Sequence, residues 1–350
     1  MIGVLFHGPE VFDGGWAARI MRAFPRARLM LAGTMSRTAL HDSGLTGVET
    51  PGLQPSECVR LLRKDCSAML LATSSKSVNS GLTFGSLVAG RAGDELPLVQ
   101  AECSGPIYAA HSGKCPAGIA AALKKLGFLR TASPEARIEL WHEGDLLCRR
   151  MTTAEKGDYV LVNGIIVGRA EGGEVVLYAR ERSITEIQGV NIKPHGLEKL
   201  ERFGGVDLAS AKLASTARLR SNSVKARLGK CCGEGVIFID HAGMHVYSLA
   251  EKAGGAVTVG DDTTAVVGDI LRRFGVPVIG IVDGDGDSLH TGGGLAPGSV
   301  VFIVKADDKA GLKVLKEIFC GKQRSTATFV KIKESIRKVL ESDIRSSTDY

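Results

Sequence analysis

Aspartate closes one apolar run after another in the last third of the chain. Val236-Ile237-Phe238-Ile239 ends in Asp240, Ala256 to Val259 leads into Gly260-Asp261-Asp262, and Val276 to Val282 runs into Asp283-Gly284-Asp285-Gly286-Asp287. One acidic turn has a plain explanation, because Asp and Gly build turns and Asp caps helices. Three at the same edge of a sheet imply something more, since crowded carboxylates repel unless a cation or a basic group neutralises them. Magnesium fits such a set, because one or two carboxylates plus substrate phosphates complete its octahedral shell. The expected metal ligands are therefore Asp240, Asp283 and Asp285, and the expected catalytic groups are Asp240, His241 and Asp287. His241 adjoins Asp240 and is the best placed imidazole for general-base work or metal ligation. His245, four residues on, gives a spacing that also suits zinc, and His290 follows the acidic turn. The D-x-D-x-D spacing is not a calcium loop, because its sixth position is Ser288 and its twelfth Gly294.

Phosphate contacts have two candidate sources. Thr73-Ser74-Ser75-Lys76-Ser77 follows an apolar run and precedes Gly81-Leu82-Thr83-Phe84-Gly85, a hydroxyl-rich loop of the kind that cradles phosphate at a helix start. Thr73, Ser74, Ser75 and Gly81 are the expected cofactor contacts there, and Thr263 and Thr264 are those beside the second acidic turn. The usual nucleotide fingerprints are missing: no G-x-G-x-x-G follows the first strand, and Gly113-Lys114 is followed by Cys115 without the upstream glycine of a P-loop. Eight cysteines include no C-x-x-C pair, which argues against a zinc ribbon or a thioredoxin-type site. Between Ala209 and Lys230 lie six basic residues and no acidic one, a stretch that attracts phosphate or connects domains. Aromatics are only 5% of the chain, which disfavours a surface for stacking single-stranded bases.

Elements must hold these groups. A chain of 350 residues is too long for one ordinary core and is expected to form two or three domains. Residues 1–130 alternate short apolar runs with helical periodicity, the pattern of a parallel sheet covered on both faces, and are read as a Rossmann-like α/β domain. Residues 135–205 change to period two. Tyr159 to Val162, Asn163-Gly164 and Ile165 to Val167 spell a hairpin with a type I′ turn, and Glu171-Gly172-Gly173 supplies the next turn of a small antiparallel β meander. Residues 206–234 are expected to be a basic connector, and 235–321 a second α/β domain carrying the acidic strand ends. Residues 322–350 form an amphipathic carboxy-terminal helix able to pack back or meet a protein partner. No run reaches the 18 or so apolar residues of a membrane span, so the expected location is cytoplasmic, with no membrane partner.

Val259-Gly-Asp-Asp-Thr-Thr264, Gly268-Asp269-Ile270-Leu271 and Gly280-Ile281-Val282-Asp283-Gly284-Asp285 resemble a signature of an uncharacterised archaeal family known mainly from methanogens. The resemblance implies an archaeal protein and brings no activity. The order of elements from Gly235 to Asp287 is also similar to the Toprim domain of topoisomerases and primases. In that family a Glu after the first strand and a D-x-D after the third hold magnesium for phosphoryl transfer. Asp283 and Asp285 match the D-x-D, whereas Asp240 stands where that family has Glu. Two functions follow as expectations. One is a magnesium-dependent enzyme acting on a phosphate-bearing ligand, a nucleotide or nucleic acid. The other is a non-enzymatic module that binds a nucleotide, coenzyme or RNA, or an assembly factor.

Overall fold

Aliphatic runs too short to span a helical core pair as strands when helices follow to cover them, and this chain does so twice. The computed structural model describes residues 1–93, 95–134, 139–217, 219–220, 224–240, 246–250, 252–284, 286 and 294–350. These divide into two units, Met1–Thr216 and Ala217–Tyr350.

The first unit opens with β1 (Ile2–His7), α1 (Glu10–Asp13), α2 (Trp16–Ala23), β2 (Arg28–Ala32), α3 (Thr34–Ser43), α4 (Pro55–Leu62), β3 (Ala68–Thr73) and α5 (Val78–Ala92). It continues with β4 (Leu98–Glu102), β5 (Ile107–Ser112), α6 (Ala117–Lys125) and β6 (Leu129–Arg130). The sheet order is β2-β1-β3-β4-β5-β6, with β1 to β4 parallel and β5 antiparallel to β4. Alternate residues face opposite layers. Val4, Phe6, Leu70 and Ala72 pack under α1, α2 and α6, whereas Leu5, Met69 and Leu71 pack under α4 and α5.

The chain then forms β7 (Leu140–Glu143), β8 (Leu146–Met151), β9 (Tyr159–Val162), β10 (Ile165–Ala170), β11 (Val175–Arg180), β12 (Ser183–Gln188), β13 (Val190–Ile192), α7 (Pro194–Arg202) and β14 (Leu213–Thr216). The expected hairpin is present, with positive φ at Asn163 (52°) and Gly164 (88°) as a type I′ turn requires. The single meander is corrected to two four-stranded sheets, β13-β10-β9-β14 and β12-β11-β8-β7. Glu171 to Glu174 carries the chain from one sheet to the other, and Val160, Val162 and Val167 share a core with Val175 and Leu177. This β module also reaches beyond residue 205. Val206 and Leu208 are buried in its core and β14 pairs with β9, so the first part of the expected connector belongs to the module.

The second unit contains β15 (Val236–Asp240), α8 (Val246–Ala250), β16 (Gly255–Val259), α9 (Asp261–Arg272), β17 (Val278–Val282), β18 (Val300–Val304), α10 (Asp307–Glu317), β19 (Arg324–Ser325), α11 (Phe329–Val339) and β20 (Ile344–Asp349). Its sheet runs β19-β15-β16-β17-β18-β20. The four central strands are parallel and sequential, and both edge strands are antiparallel. Val257, Val259, Ile279, Ile281 and Phe302 face α10 and α11. α9 covers the alternate positions, where Thr264 lies against Gly280 and its hydroxyl meets that of Thr258 at 2.8 Å. The carboxy-terminal segment 322–350 is corrected as well: it is one helix between the two edge strands β19 and β20. Ile332, Ile336 and Leu340 are at most 2% exposed in the unit's own core, which removes that apolar face as a docking surface. Among the described residues no helix is long and apolar enough to cross a membrane.

Candidate functional site

Parallel strands aim their carboxyl ends at one edge, and there the second unit gathers acid. Asp261, Asp283 and Asp307 follow β16, β17 and β18, three neighbouring strands, and offer carboxylate oxygens that all lie within 4.8 Å of one another. Asp261 and Asp283 are half-buried and Asp307 is 3% exposed. Local hydrogen bonds set their angles: Gly284 N donates to Asp261 Oδ2 at 3.0 Å, and Asp308 N donates to Asp307 Oδ1 at 2.7 Å. Gly286 closes tightly over the first of these, since a Cβ there would meet the Cβ of Asp261 at 2.9 Å.

α9 follows β16 onto one face of the sheet and α10 follows β18 onto the other, and in open α/β sheets ligands bind beyond the carboxyl ends of strands whose connections part in this way. With all three carboxylates ionised and within 4.8 Å, each pair repels by about 3 kcal/mol at an effective dielectric near 20. Asp261 and Asp307 stand in the first turns of α9 and α10. Each helix end returns only about 1 kcal/mol. The dipoles alone do not cancel the repulsion, and a cation or a basic group beside the carboxylates would.

This set overlaps the sequence expectation in one residue. Asp283 is in the cluster, Asp285 lies outside the described residues, and Asp240 ends β15, one strand further along, without joining the group. His241, His245, Asp287 and His290 also lie outside the described residues. Thr264 is 5% exposed and turned inward to Thr258, while Thr263 is half-buried in the first turn of α9. Sequence reasoning missed Asp307, although its signal was present: the run Val300 to Val304 is followed by Lys305-Ala306-Asp307-Asp308, a fourth strand with an acidic end.

The hydroxyl-rich loop of the first unit does hold an acidic group, and that group is the protein's own. Glu102, fully buried at the end of β4, accepts from Thr73 Oγ1 (2.7 Å), Ser75 Oγ (3.0 Å), Ser75 N (2.9 Å) and Ser104 N (3.0 Å). Gln100 continues the network, donating to Thr73 Oγ1 at 2.6 Å and to the Gly81 carbonyl at 2.9 Å. That carbonyl can only accept, which fixes the amide orientation and makes Gln100 Oε1 the acceptor for His111 Nε2 at 2.7 Å. Thr73 and Ser75 thus serve Glu102, Gly81 accepts from Gln100, and Ser74 stands outside the network. Burial holds His111 down to about 4, and His7, stacked on Phe84 with Nδ1 against the Ala32 carbonyl, is lowered to about 4 mainly for the same reason.

Lys76 and Ser77 reach the β module instead. Lys76 Nζ pairs with the buried Asp158 and lies 3.2 Å from Ser215 Oγ, and Ser77 Oγ donates to Glu155 at 2.6 Å. A cavity of about 270 Å³ adjoins this contact, lined by Ser77, Asn79, Ser80, Thr152, Glu155 and Lys156 among others. All eight cysteines are free, and Cys231 Sγ faces the Ala253 carbonyl at 3.4 Å.

No solved structure matches the chain. A family model described as an uncharacterised protein conserved in archaea (DUF2117) matches residues 4–322. The uncharacterised protein MJ0065 of Methanocaldococcus jannaschii is 34% identical over 340 residues, covering 92% of each chain. With the match running from the first strand of the first unit to the end of the α10 segment of the second, the chain belongs to this archaeal DUF2117 family.

Proposed function

We propose that the second unit binds a divalent cation, magnesium, through Asp261, Asp283 and Asp307 and acts with it on a phosphate-bearing ligand. One observation carries the reading: carboxylate oxygens from three adjacent strand ends lie within 4.8 Å of one another at the carboxyl edge of the parallel sheet. Oxygen donors at this spacing suit a hard ion. Bound there, magnesium would offset charge on a phosphoryl group and orient an attacking oxygen. The chain's own part is to hold the carboxylates through Gly284 N and Asp308 N. Asp240, on the adjacent strand, and His241, Asp285 and Asp287 are proposed as supporting acid, base or ligand groups. Four sequential parallel strands with acidic ends support the Toprim-like reading of this unit. The β2-β1-β3-β4 order with helices on both faces supports the Rossmann-like reading of the amino-terminal domain. The same reading takes the protein to be cytoplasmic.

Calorimetric titration of magnesium into the whole chain tests this. Asp261→Ala, Asp283→Ala and Asp307→Asn should each weaken binding by about 10–100-fold or more, since even outer partners of a metal site cost that much. Asp240→Ala should do less. Heats from the cluster variants equal to those of the wild type would end the reading.

A further inference from the structure

One layer of the second unit carries a surplus of positive charge. Lys305 to Lys338 contains ten basic and four acidic residues, a surplus equal to the +6 of the entire protein. This segment is α10, the turn and short edge strand β19 after it, and α11; the two helices pack side by side on one face of the second sheet, with Lys313 Nζ donating to the Val339 carbonyl at 2.7 Å. Both helices put their apolar residues inward: Val314 and Ile336 are fully buried and Ala310 and Ile332 nearly so. The exposed lysines of this layer are Lys309 and Lys316 on α10, Lys322 on the turn, and Lys331 and Lys338 on α11, with Arg337 of α11 exposed beside them. Among the described residues none of these five ammonium groups has a carboxylate or carbonyl partner. An ordinary solvated helix face mixes both signs, as α7 does with His195, Glu198, Lys199 and Glu201. Here the exposed acids of the two helices are Glu317 and Glu334 alone.

We propose that this two-helix layer is a track for the phosphodiester backbone of duplex nucleic acid. Three observations select that partner. The apolar faces are already in the core and leave only Leu312 and Val330 outside, so the layer lacks the apolar stripe by which an interfacial helix enters a bilayer. Its aromatic residues are withdrawn, Phe319 to 3% exposure and Phe329 half-buried, so no platform for stacking unpaired bases exists. Finally, α10 begins at Asp307, placing Lys309 two residues from the carboxylate cluster. A backbone lying on the lysines therefore reaches the proposed magnesium site. The inference deepens the function above by naming its substrate, but the binding itself rests on charge and needs no metal.

The experiment is fluorescence anisotropy of the full chain with a labelled 20-base-pair duplex, in DNA and RNA forms, across a salt series. Five phosphate contacts predict affinity falling by about 10²–10³ between 50 and 200 mM salt. Lys309→Glu/Lys316→Glu/Lys331→Glu/Lys338→Glu should abolish binding while retaining the circular dichroism and melting transition of the wild type. If reversal unfolds the unit, the four Lys→Gln changes serve, with an expected loss of at least tenfold. Arg19→Glu/Arg22→Glu/Arg26→Glu, reversing the exposed arginines around α2, should leave affinity unchanged. Asp261→Ala/Asp283→Ala should also keep the duplex bound, so loss of metal binding and loss of nucleic-acid binding are separable results. No binding at 50 mM salt, equal binding by the folded lysine variant, or equally tight binding to phosphatidylserine vesicles would overturn the proposal.

Discussion

A Cβ on Gly81 would sit 2.1 Å from Glu102 Oε2, and one on Gly85 would sit 2.0 Å from Gln100 Oε1. The two glycines lie four apart on α5, one helical turn, and admit a polar row where an αβ layer is normally apolar. Gly81→Ala should therefore cost about 1–3 kcal/mol by overpacking. In a Glu102→Ala background the same change should cost less, a coupling that urea denaturation in a double-mutant cycle measures. Sequence reading took these glycines for a phosphate cradle because the residue types are right for one; it overlooked Glu102, whose signal is the alternation Gln100, Glu102 in a strand otherwise apolar. Acidity acts on the same row. His7 and His111 titrate near 4 in the fold against about 6.5 free, so between these values the unfolded chain binds more protons. Their contribution is complete above about pH 6.5 and is lost as pH falls toward 4. Urea midpoints followed by tryptophan fluorescence should thus fall on acidification through that window, and His111→Gln should flatten the profile. A profile equally steep in the variant would remove His111 from this account.

Among elements, α11 separates what periodicity reveals from what it hides. The spacing of Phe329, Ile332, Ile336 and Leu340 marks an apolar face in the sequence, but the partner for that face is set by the fold, and here it is β16 to β18. Ile336→Ala should cost about 2–5 kcal/mol, as expected for truncating a fully buried aliphatic residue. Val330→Ala, at 63% exposure, should change stability by less than about 0.5 kcal/mol. Similar losses from both would mean that the helix is not packed as described. The β module teaches the same lesson. Asn163-Gly164 announced its hairpin because turn geometry is local, whereas the division of β9 to β12 between two sheets depends on contacts that alternation does not encode. The acidic strand ends were legible for a related reason: the strand-then-aspartate pattern is local, while the choice of Asp307 over Asp240 depends on strand order.

At the scale of the whole molecule, each unit has its own cores, and each carries its own candidate chemistry. Both tryptophans, Trp16 and Trp141, lie in the first unit, so their fluorescence reports on that unit alone, whereas far-ultraviolet circular dichroism sees both. A ligand held by the carboxylate cluster stabilises the unit that binds it by RT ln(1 + [L]/Kd), about 2.7 kcal/mol at a hundredfold excess over Kd. Magnesium should accordingly raise the unfolding midpoint of the dichroism component that belongs to residues 217–350 and leave the tryptophan transition where it was. The Asp283→Ala protein should lose that shift. A midpoint that rises equally by both probes would mean that the units unfold as one, or that the ion binds elsewhere. Repeating the titration on residues 217–350 alone decides between those outcomes, because the shift persists there only if the second unit folds independently and holds the ion itself.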